Sequence, residues 1–354
     1  MSSPITDQPA EARPREVPDI LALNAYVQKE APQIGSIHNI LQFPSGYSNL
    51  TFCLQTSTGE FILRRPPVGA NIKSAHDMGR EFTVLSKLKP HYNKVPEPIF
   101  YCERDDVIGA PFYLMKRLHG VILRSTNAPK LNLAPELYTK ISEALVDNLV
   151  ELHRLDICST GLHELGKPEG YVQRQVEGWI KRYYAAETDK LEHMDTLAEW
   201  ITTDQPVSQS PCFLHNDYKY DNVILDPNEL THILGVLDWE MATVGDPLMD
   251  LGASLAYWSE ASDDEVLQSF NLTALVGNLT RQKVVDRYAV QSNRDVSNVL
   301  FYYVFGLFKN AVIAQQIYSR WKQGHSSDPR FGGLMMVIRS LARQGIESLG
   351  KGKI

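Results

Sequence analysis

Within residues 213–225, Phe-Leu-His-Asn-Asp-Tyr-Lys-Tyr-Asp-Asn-Val-Ile-Leu, apolar flanks enclose His215, Asp217 and Asn222, and Asp238 follows the next apolar run, 233–237. Two carboxylates and an amide at these spacings are the groups that phosphoryl transfer needs. A hydroxyl attacking the terminal phosphate of a nucleotide must pass its proton to an acceptor, and Mg²⁺ bridging the phosphates takes oxygen ligands. Asp217 suits the first task, and Asn222 and Asp238 the second. The stretch reads as loop, strand, turn and strand. Such a hairpin is expected to put Asp217 and Asn222 at its base and Asp238 at its far end, all facing one cleft.

The spacing His-x-Asp-x-x-x-x-Asn with a later Asp is the kinase catalytic-loop pattern, and Asp238-Trp239-Glu240 stands where protein kinases carry Asp-Phe-Gly. His215 reads as a brace that holds the loop backbone through a hydrogen bond rather than as a catalyst. Taken alone, Asp217 and Asn222 would also suit a turn in which they bond their own backbone.

Other segments must position these groups. Residues 38–43, 50–55 and 60–65 have strand character, the last two joined by a Ser57-Thr58-Gly59 turn. The loop between the first two is Pro44-Ser45-Gly46-Tyr47-Ser48-Asn49, with one glycine. Backbone N–H groups at Ser45, Gly46, Ser48 and Asn49 could lie over phosphates, or the loop could be a plain hairpin turn. No Gly-x-x-x-x-Gly-Lys-Ser/Thr segment is present, which disfavours a P-loop site. The third strand carries Arg64 and Arg65 where a kinase places its phosphate-binding lysine. Alternation turns only one of them to the cleft, and Arg64 is favoured; two solvated edge arginines are the alternative.

Residues 77–88 read as a helix with Phe82, Leu85 and Leu88 on its apolar face. Glu81 on that helix is expected either to pair with the strand arginine or to be solvated. Strands at 97–103 and 111–118 follow. The hinge is expected at 116–118, where the backbone of Met115, Lys116 and Leu118 would read an adenine edge. Beyond it the chain is mainly helical, with helices expected at 134–155 and 298–322, and His153 reads as a helix-end residue. Around 170–184, Tyr171, Arg174, Trp179 and Arg182 would either line an acceptor pocket or divide into packed aromatics and solvated arginines. Asp250, near a helix start, is expected to support the 215–222 loop by hydrogen bonds. The aromatic stripe Phe301, Tyr302, Phe305 and Phe308 reads as core.

A chain of 354 residues is long for one core and suggests two domains. The expected division is a mobile arm at 1–18, an N-terminal lobe at 19–117 and a C-terminal lobe at 118–354. The net charge of -7 argues against nucleic acid or a membrane as main partner. Cys53, Cys102, Cys158 and Cys212 are widely spaced and are expected to be reduced, packed thiols. With no bilayer-length apolar run and no signal-peptide layout at the N-terminus, a cytoplasmic protein is the expectation.

The assembled residues resemble the aminoglycoside-phosphotransferase and choline-kinase-like superfamily. Its branch of bacterial phosphotransferases and of kinase domains fused to acyl-CoA dehydrogenases is most similar. That likeness rests on Ser45-Gly46-Tyr47-Ser48-Asn49, Leu63-Arg64-Arg65-Pro66-Pro67, Ala75-His76-Asp77-Met78-Gly79-Arg80-Glu81, Gly170-Tyr171-Val172-Gln173-Arg174-Gln175 and Leu237-Asp238-Trp239-Glu240. The resemblance implies an α+β, bilobal protein-kinase-like fold: a small N-terminal antiparallel-sheet lobe and a larger, mainly helical C-terminal lobe, with ATP and Mg²⁺ between them. By position, Asp217 is similar to the catalytic base and Asn222 and Asp238 to the metal ligands. Arg64 stands where the family has lysine, and Asn216 where many relatives have glycine.

The resemblance further implies a hydroxyl acceptor on a small molecule, a 4-hydroxyacyl-CoA thioester in the nearest branch, with an acyl-CoA dehydrogenase-like enzyme as functional partner. An aminoglycoside or other small-alcohol kinase is the alternative, as is a nucleotide-binding module without catalysis. Since Asp217, Asn222 and Asp238 are all present, the last is disfavoured, and no Ala-Pro-Glu-type segment follows Asp238 to suggest a protein kinase.

Overall fold

The computed structural model describes residues 7–43, 49–67, 77–325 and 328–354, so the expected phosphate loop at Ser45, Gly46 and Ser48 lies outside the described residues. In chain order the first elements are β1 (Ala10–Glu11), α1 (Ile20–Glu30), β2 (Ile37–Gln42), β3 (Leu50–Thr56), β4 (Gly59–Arg65), α2 (Met78–Leu88), β5 (Pro98–Cys102) and β6 (Phe112–Lys116). Then come α3 (Pro135–His153), α4 (Tyr171–Ala186), α5 (Glu192–Thr203), β7 (Cys212–Leu214), β8 (Val223–Leu225), β9 (Ile233–Val236) and β10 (Thr243–Gly245). Helices α6 (Pro247–Tyr257), α7 (Glu265–Phe270), α8 (Arg281–Ser292), α9 (Val299–Lys322) and α10 (Leu334–Lys351) complete the chain.

Two compact units result. The first comprises Met1–Ile122, Thr160–Leu162 and Asn222–Ala242. Its antiparallel sheet has the order β1-β2-β3-β4-β6-β5. Alternation along β3, β4 and β6 sends Phe52, Leu54, Leu63, Phe112 and Leu114 into one core with Leu23 and Val27 of α1. Asp19 caps α1, accepting the Leu21 N–H at 2.8 Å. In α2, Glu81, Val84, Leu85 and Leu88 are buried, while Phe82 is half-buried and stacks on Tyr101. The buried face is thus turned from the expected one and carries a carboxylate.

Three boundaries differ from expectation. Within the arm, β1 pairs with β2 and the Arg13 N–H donates to Gln42 Oε1 at 3.0 Å, so backbone pairing orders a segment that composition reads as mobile. The first unit continues past the expected hinge to Ile122, because Val121 and Leu225 exchange backbone hydrogen bonds of 2.9 and 2.8 Å. That contact, together with the Val236 N–H to the Lys94 carbonyl at 2.8 Å, makes the β8–β9 hairpin part of the sheet unit. At Gly120 a Cβ would lie 2.5 Å from the Leu225 carbonyl oxygen, so this approach requires glycine.

The second unit, Leu123–Ser159, His163–Asp221 and Thr243–Ile354, is helical apart from the antiparallel β7–β10 pair. Helices α6 and α9 pack closely. A Cβ on Gly252 would meet the Tyr302 carbonyl oxygen at 2.2 Å, and one on Gly306 would meet the Gly252 carbonyl oxygen at 2.4 Å. Cys53, Cys102 and Cys212 are buried thiols, but Cys158 is exposed, in a turn where Asp156 accepts its N–H at 3.0 Å. No helix among the described residues is long and apolar enough to cross a membrane.

Candidate active site

The pleat of β4 turns consecutive arginines opposite ways. Arg65 Nη1 donates to the Ile108 carbonyl at 2.7 Å. Arg64 Nη1 donates to Glu81 Oε1 of α2, and its Nη2 donates to Asp238 Oδ1 at 3.1 Å. Arg64 and Glu81 are 8% and 1% exposed. Burial opposes the guanidinium charge, but the Glu81 carboxylate, with Tyr113, Asp238 and Glu240, outweighs it and holds the Arg64 pKa above its ordinary range. Removing the cation strands a buried carboxylate. Arg64→Met is therefore expected to destabilise the first unit by about 3–5 kcal/mol, with Glu81→Gln added to it recovering part of the loss; equal urea midpoints for wild type and Arg64→Met would contradict the pairing.

Asp238 has a φ of 67°, left-handed and uncommon for a residue with a Cβ, and leads into a 3₁₀ turn at Trp239–Met241. Trp239 is buried there and its Nε1 donates to the Val236 carbonyl at 3.0 Å. Glu240, which the motif contains but the sequence reading leaves without a task, accepts Asn49 Nδ2 at 2.8 Å.

The expectation that Asp238 lies at the far end of the hairpin is corrected. Antiparallel pairing of Val223 with Val236, and the Leu237 N–H to the Asn222 carbonyl at 2.8 Å, bring Asn222 and Asp238 to the same open end. The far end is the turn at 226–232. An amide oxygen and a carboxylate are hard oxygen donors and fit Mg²⁺. Among the described residues no group of three or more His, Cys, Asp or Glu forms a metal site. A cation held here would draw other ligands from water and phosphate, as Mg²⁺ does.

Of the expected hinge residues, Met115 is buried opposite Ile62, and Leu118 packs against Gly235. The Lys116 N–H donates to the Glu97 carbonyl at 2.8 Å, so it is spent within the sheet unit.

In the second unit, residues 215–221 are held mainly from beneath. Asp250, fully buried in the first turn of α6, accepts the N–H of His215 at 2.6 Å and of Asn216 at 2.7 Å. Its Oδ2 also lies 3.1 Å from His153 Nε2, and His153 Nδ1 lies 2.7 Å from the Tyr288 hydroxyl. Burial pushes the Asp250 pKa up, but His153, His215 and these N–H groups outweigh it and hold it below the ordinary 3.8. His215 Nδ1 accepts the Asp217 N–H at 3.2 Å. Asn216 sits at φ 64°.

Both Asp217 carboxylate oxygens accept Lys219 Nζ at 2.9 Å. Burial again works against ionisation, yet Lys219, His215 and Lys309 lower the Asp217 pKa, keeping the group ready to accept a proton. Lys219 lies inside the motif, where its charge two residues after Asp217 was the available signal. Its ammonium also rests 4.3 Å from the centroid of the Tyr257 ring.

The four residues expected around an acceptor do not share one open face. Tyr171 is buried and its hydroxyl is 3.2 Å from Asn216 Nδ2, bracing the loop. Trp179 is buried too, with the Arg182 guanidinium 4.8 Å and Lys309 Nζ 5.8 Å from its ring centroid. Arg174 is exposed and folds back onto the Lys167 and Glu169 carbonyls. Arg182 is exposed as well.

An antiparallel-sheet unit bearing a buried arginine–glutamate pair, followed by a mainly helical unit with an anchored Asp217 loop, defines an α+β kinase-like phosphotransferase. Residues 39–282 match the phosphotransferase enzyme family, and the chain belongs to it. It is 33% identical to acyl-CoA dehydrogenase family member 11 of Rattus norvegicus over 98% of this chain and 45% of that protein, so it spans about half of that relative's length. Among solved structures, a Ralstonia eutropha protein provisionally assigned as an aminoglycoside phosphotransferase is similar, with a TM-score of 0.78, 28% identity and coverage of 95% of this chain and 99% of that one. The streptomycin–ATP ternary complex of APH(2")-IIa matches in fold, with a TM-score of 0.57 at 18% identity over 93% and 99% of the two chains.

Proposed function

We propose that the chain transfers the terminal phosphate of ATP to a hydroxyl of a small molecule, with a 4-hydroxyacyl-CoA thioester as acceptor. The observation that carries this reading is Asp217: an ionised carboxylate in a loop whose backbone is anchored to the buried Asp250. In this reading Asp217 takes the hydroxyl proton, Arg64 steadied by Glu81 holds nucleotide phosphate, and Asn222 and Asp238 hold Mg²⁺. Bound Mg²⁺ supplies neutralisation of phosphate charge. Phosphorylation would turn a poor leaving hydroxyl into a good one, a sensible step in hydroxy-acid breakdown.

The CoA acceptor is supported by the likeness to acyl-CoA dehydrogenase family member 11, which also suggests a dehydrogenase-like enzyme as functional partner. An antibiotic acceptor is the second reading, favoured by the likeness to the Ralstonia eutropha protein. Product formation from Mg-ATP with 4-hydroxyacyl-CoAs, free hydroxy acids, aminoglycosides, choline and sugars separates the two. Phosphorylation of the CoA esters supports the first; a phosphorylated aminoglycoside with untouched CoA esters overturns it.

Asp238→Ala is expected to abolish most of the Mg²⁺-dependent gain in nucleotide affinity while leaving the affinity in chelator near wild type. Titration calorimetry with and without Mg²⁺ reads both. An undiminished Mg²⁺ gain would remove Asp238 from the metal site.

A further inference from the structure

Helix α9 holds a single charged residue between positions 299 and 319, Lys309, in a run of aromatic and aliphatic side chains. A lysine there is expensive to bury, since taking an ammonium out of water costs several kcal/mol even after relaxation. An apolar side chain would fill the position without that penalty. Lys309 is 5% exposed, and its Nζ donates to the Asn216 carbonyl at 2.7 Å.

That carbonyl belongs to the peptide plane immediately before Asp217. The N–H of the same plane donates to His215 Nδ1 at 3.2 Å. The plane is therefore gripped at both ends, by an ammonium on the oxygen and an imidazole on the hydrogen. The preceding N–H, of Asn216, is held by Asp250 at 2.7 Å. Asn216 itself sits at φ 64°. A left-handed conformation in a residue with a Cβ stores about 1–3 kcal/mol of strain and persists only where its surroundings enforce it. Rotation of this plane would swing the Asp217 side chain.

We propose that Lys309 is a positioning residue for the transfer step, fixing the Asn216–Asp217 peptide so that the Asp217 carboxylate faces the reacting hydroxyl. The proposal rests on the reading of Asp217 as proton acceptor. Lys309 reaches the loop because α6 and α9 approach closely at Gly252 and Gly306.

Its environment also makes it titratable. Asp217 and Lys219 face it from the loop, Asp250 from α6, and Trp179, with Arg182 stacked on it, from α4. Burial, aided by Lys219, pulls its pKa down to about 8, against the two carboxylates. Loss of the proton replaces a charge-assisted hydrogen bond by a weaker neutral one and removes a positive charge near Asp217. Turnover of the wild type should then fall as the pH rises through about 8.

The test is the pH profile of kcat at saturating Mg-ATP and 4-hydroxyacyl-CoA for wild type, Lys309→Met, Lys309→Arg and Asp217→Asn, with Mg-ATP affinity as the folding control. Lys309→Met is expected to lose about 10–100-fold in kcat with both KM values within about threefold. Lys309→Arg should recover part of the rate and lack the alkaline limb near pH 8. A residue that merely packed would not move that limb. Wild-type kcat in Lys309→Met beside a dead Asp217→Asn overturns the proposal and spares the base assignment. An active Asp217→Asn overturns the assignment instead. Should Lys309→Met fail to fold, Lys309→Gln gives the same comparison without the charge, and a wild-type kcat in it beside a dead Asp217→Asn overturns the proposal.

Discussion

Asp217→Asn is expected to lower kcat by about 10²–10⁴-fold, with Mg-ATP affinity within a few-fold of wild type. Asparagine keeps the size of the side chain and its contact with Lys219 through one oxygen, so the loop survives while the proton acceptor is lost. The low pKa of Asp217 sets the acid side of the profile. The carboxylate is ionised at neutral pH because Lys219, His215 and Lys309 overcome its burial, and as far as Asp217 sets the limb, activity should be retained through the ordinary carboxylate range and fall only below it. Single-turnover kinetics with nucleotide prebound would separate the chemical step from binding. A variant that turns over within a few-fold of wild type would sink the assignment.

The second large effect is on stability. Asp250→Ala removes one carboxylate that accepts the N–H groups of His215 and Asn216 and pairs with His153, all in the interior of the second unit. Each stranded donor costs about 1–3 kcal/mol. The sum is expected to be about 3–5 kcal/mol, with kcat falling as well because the loop loses its floor. Asp250→Asn retains one acceptor oxygen and should lose less. The folded pKa of Asp250 lies below its ordinary 3.8, so its contribution is fully present above that value and disappears as pH falls through the lowered one. Urea denaturation at pH 7 and near pH 3 reads both effects. Equal midpoints for wild type and Asp250→Ala at pH 7 would contradict the role given to this carboxylate.

Much of the fold is legible because its periodicities are strong. The two-residue alternation of 50–55, the apolar run 61–63 after a Ser-Thr-Gly turn and the helical spacing of 77–88 locate β3, β4 and α2, and the motif around Asp217 locates the loop. What sequence hides is set by distant partners. Nothing local in 120–122 says that Val121 will pair with Leu225 and carry the first unit past the expected hinge. The two-residue β1 is too short to show a period. The helical spacing around 170–184 shows a helix but not which neighbours cover it, and so it leaves an acceptor lining and packed aromatics with solvated arginines both open; Tyr171 and Trp179 are buried and Arg174 and Arg182 exposed, as in the second. Asp238 is different: antiparallel pairing alone dictates that the residue after β9 lies beside the one before β8. Lys309 was visible as a lone cation among aromatics, but the spacing of its neighbours announced only a core.

The most direct test of the central claim is the stoichiometry of the reaction itself. Purified chain, Mg-ATP and a 4-hydroxyacyl-CoA are incubated together, and ADP and phosphorylated thioester are quantified by mass spectrometry, with Asp217→Asn in parallel. ADP and phosphoester are expected in equal amounts for the wild type, with at least about 100-fold less of both for the variant. ADP without a phosphoester for any hydroxyl acceptor, or phosphoester formed equally by Asp217→Asn, would contradict the claim.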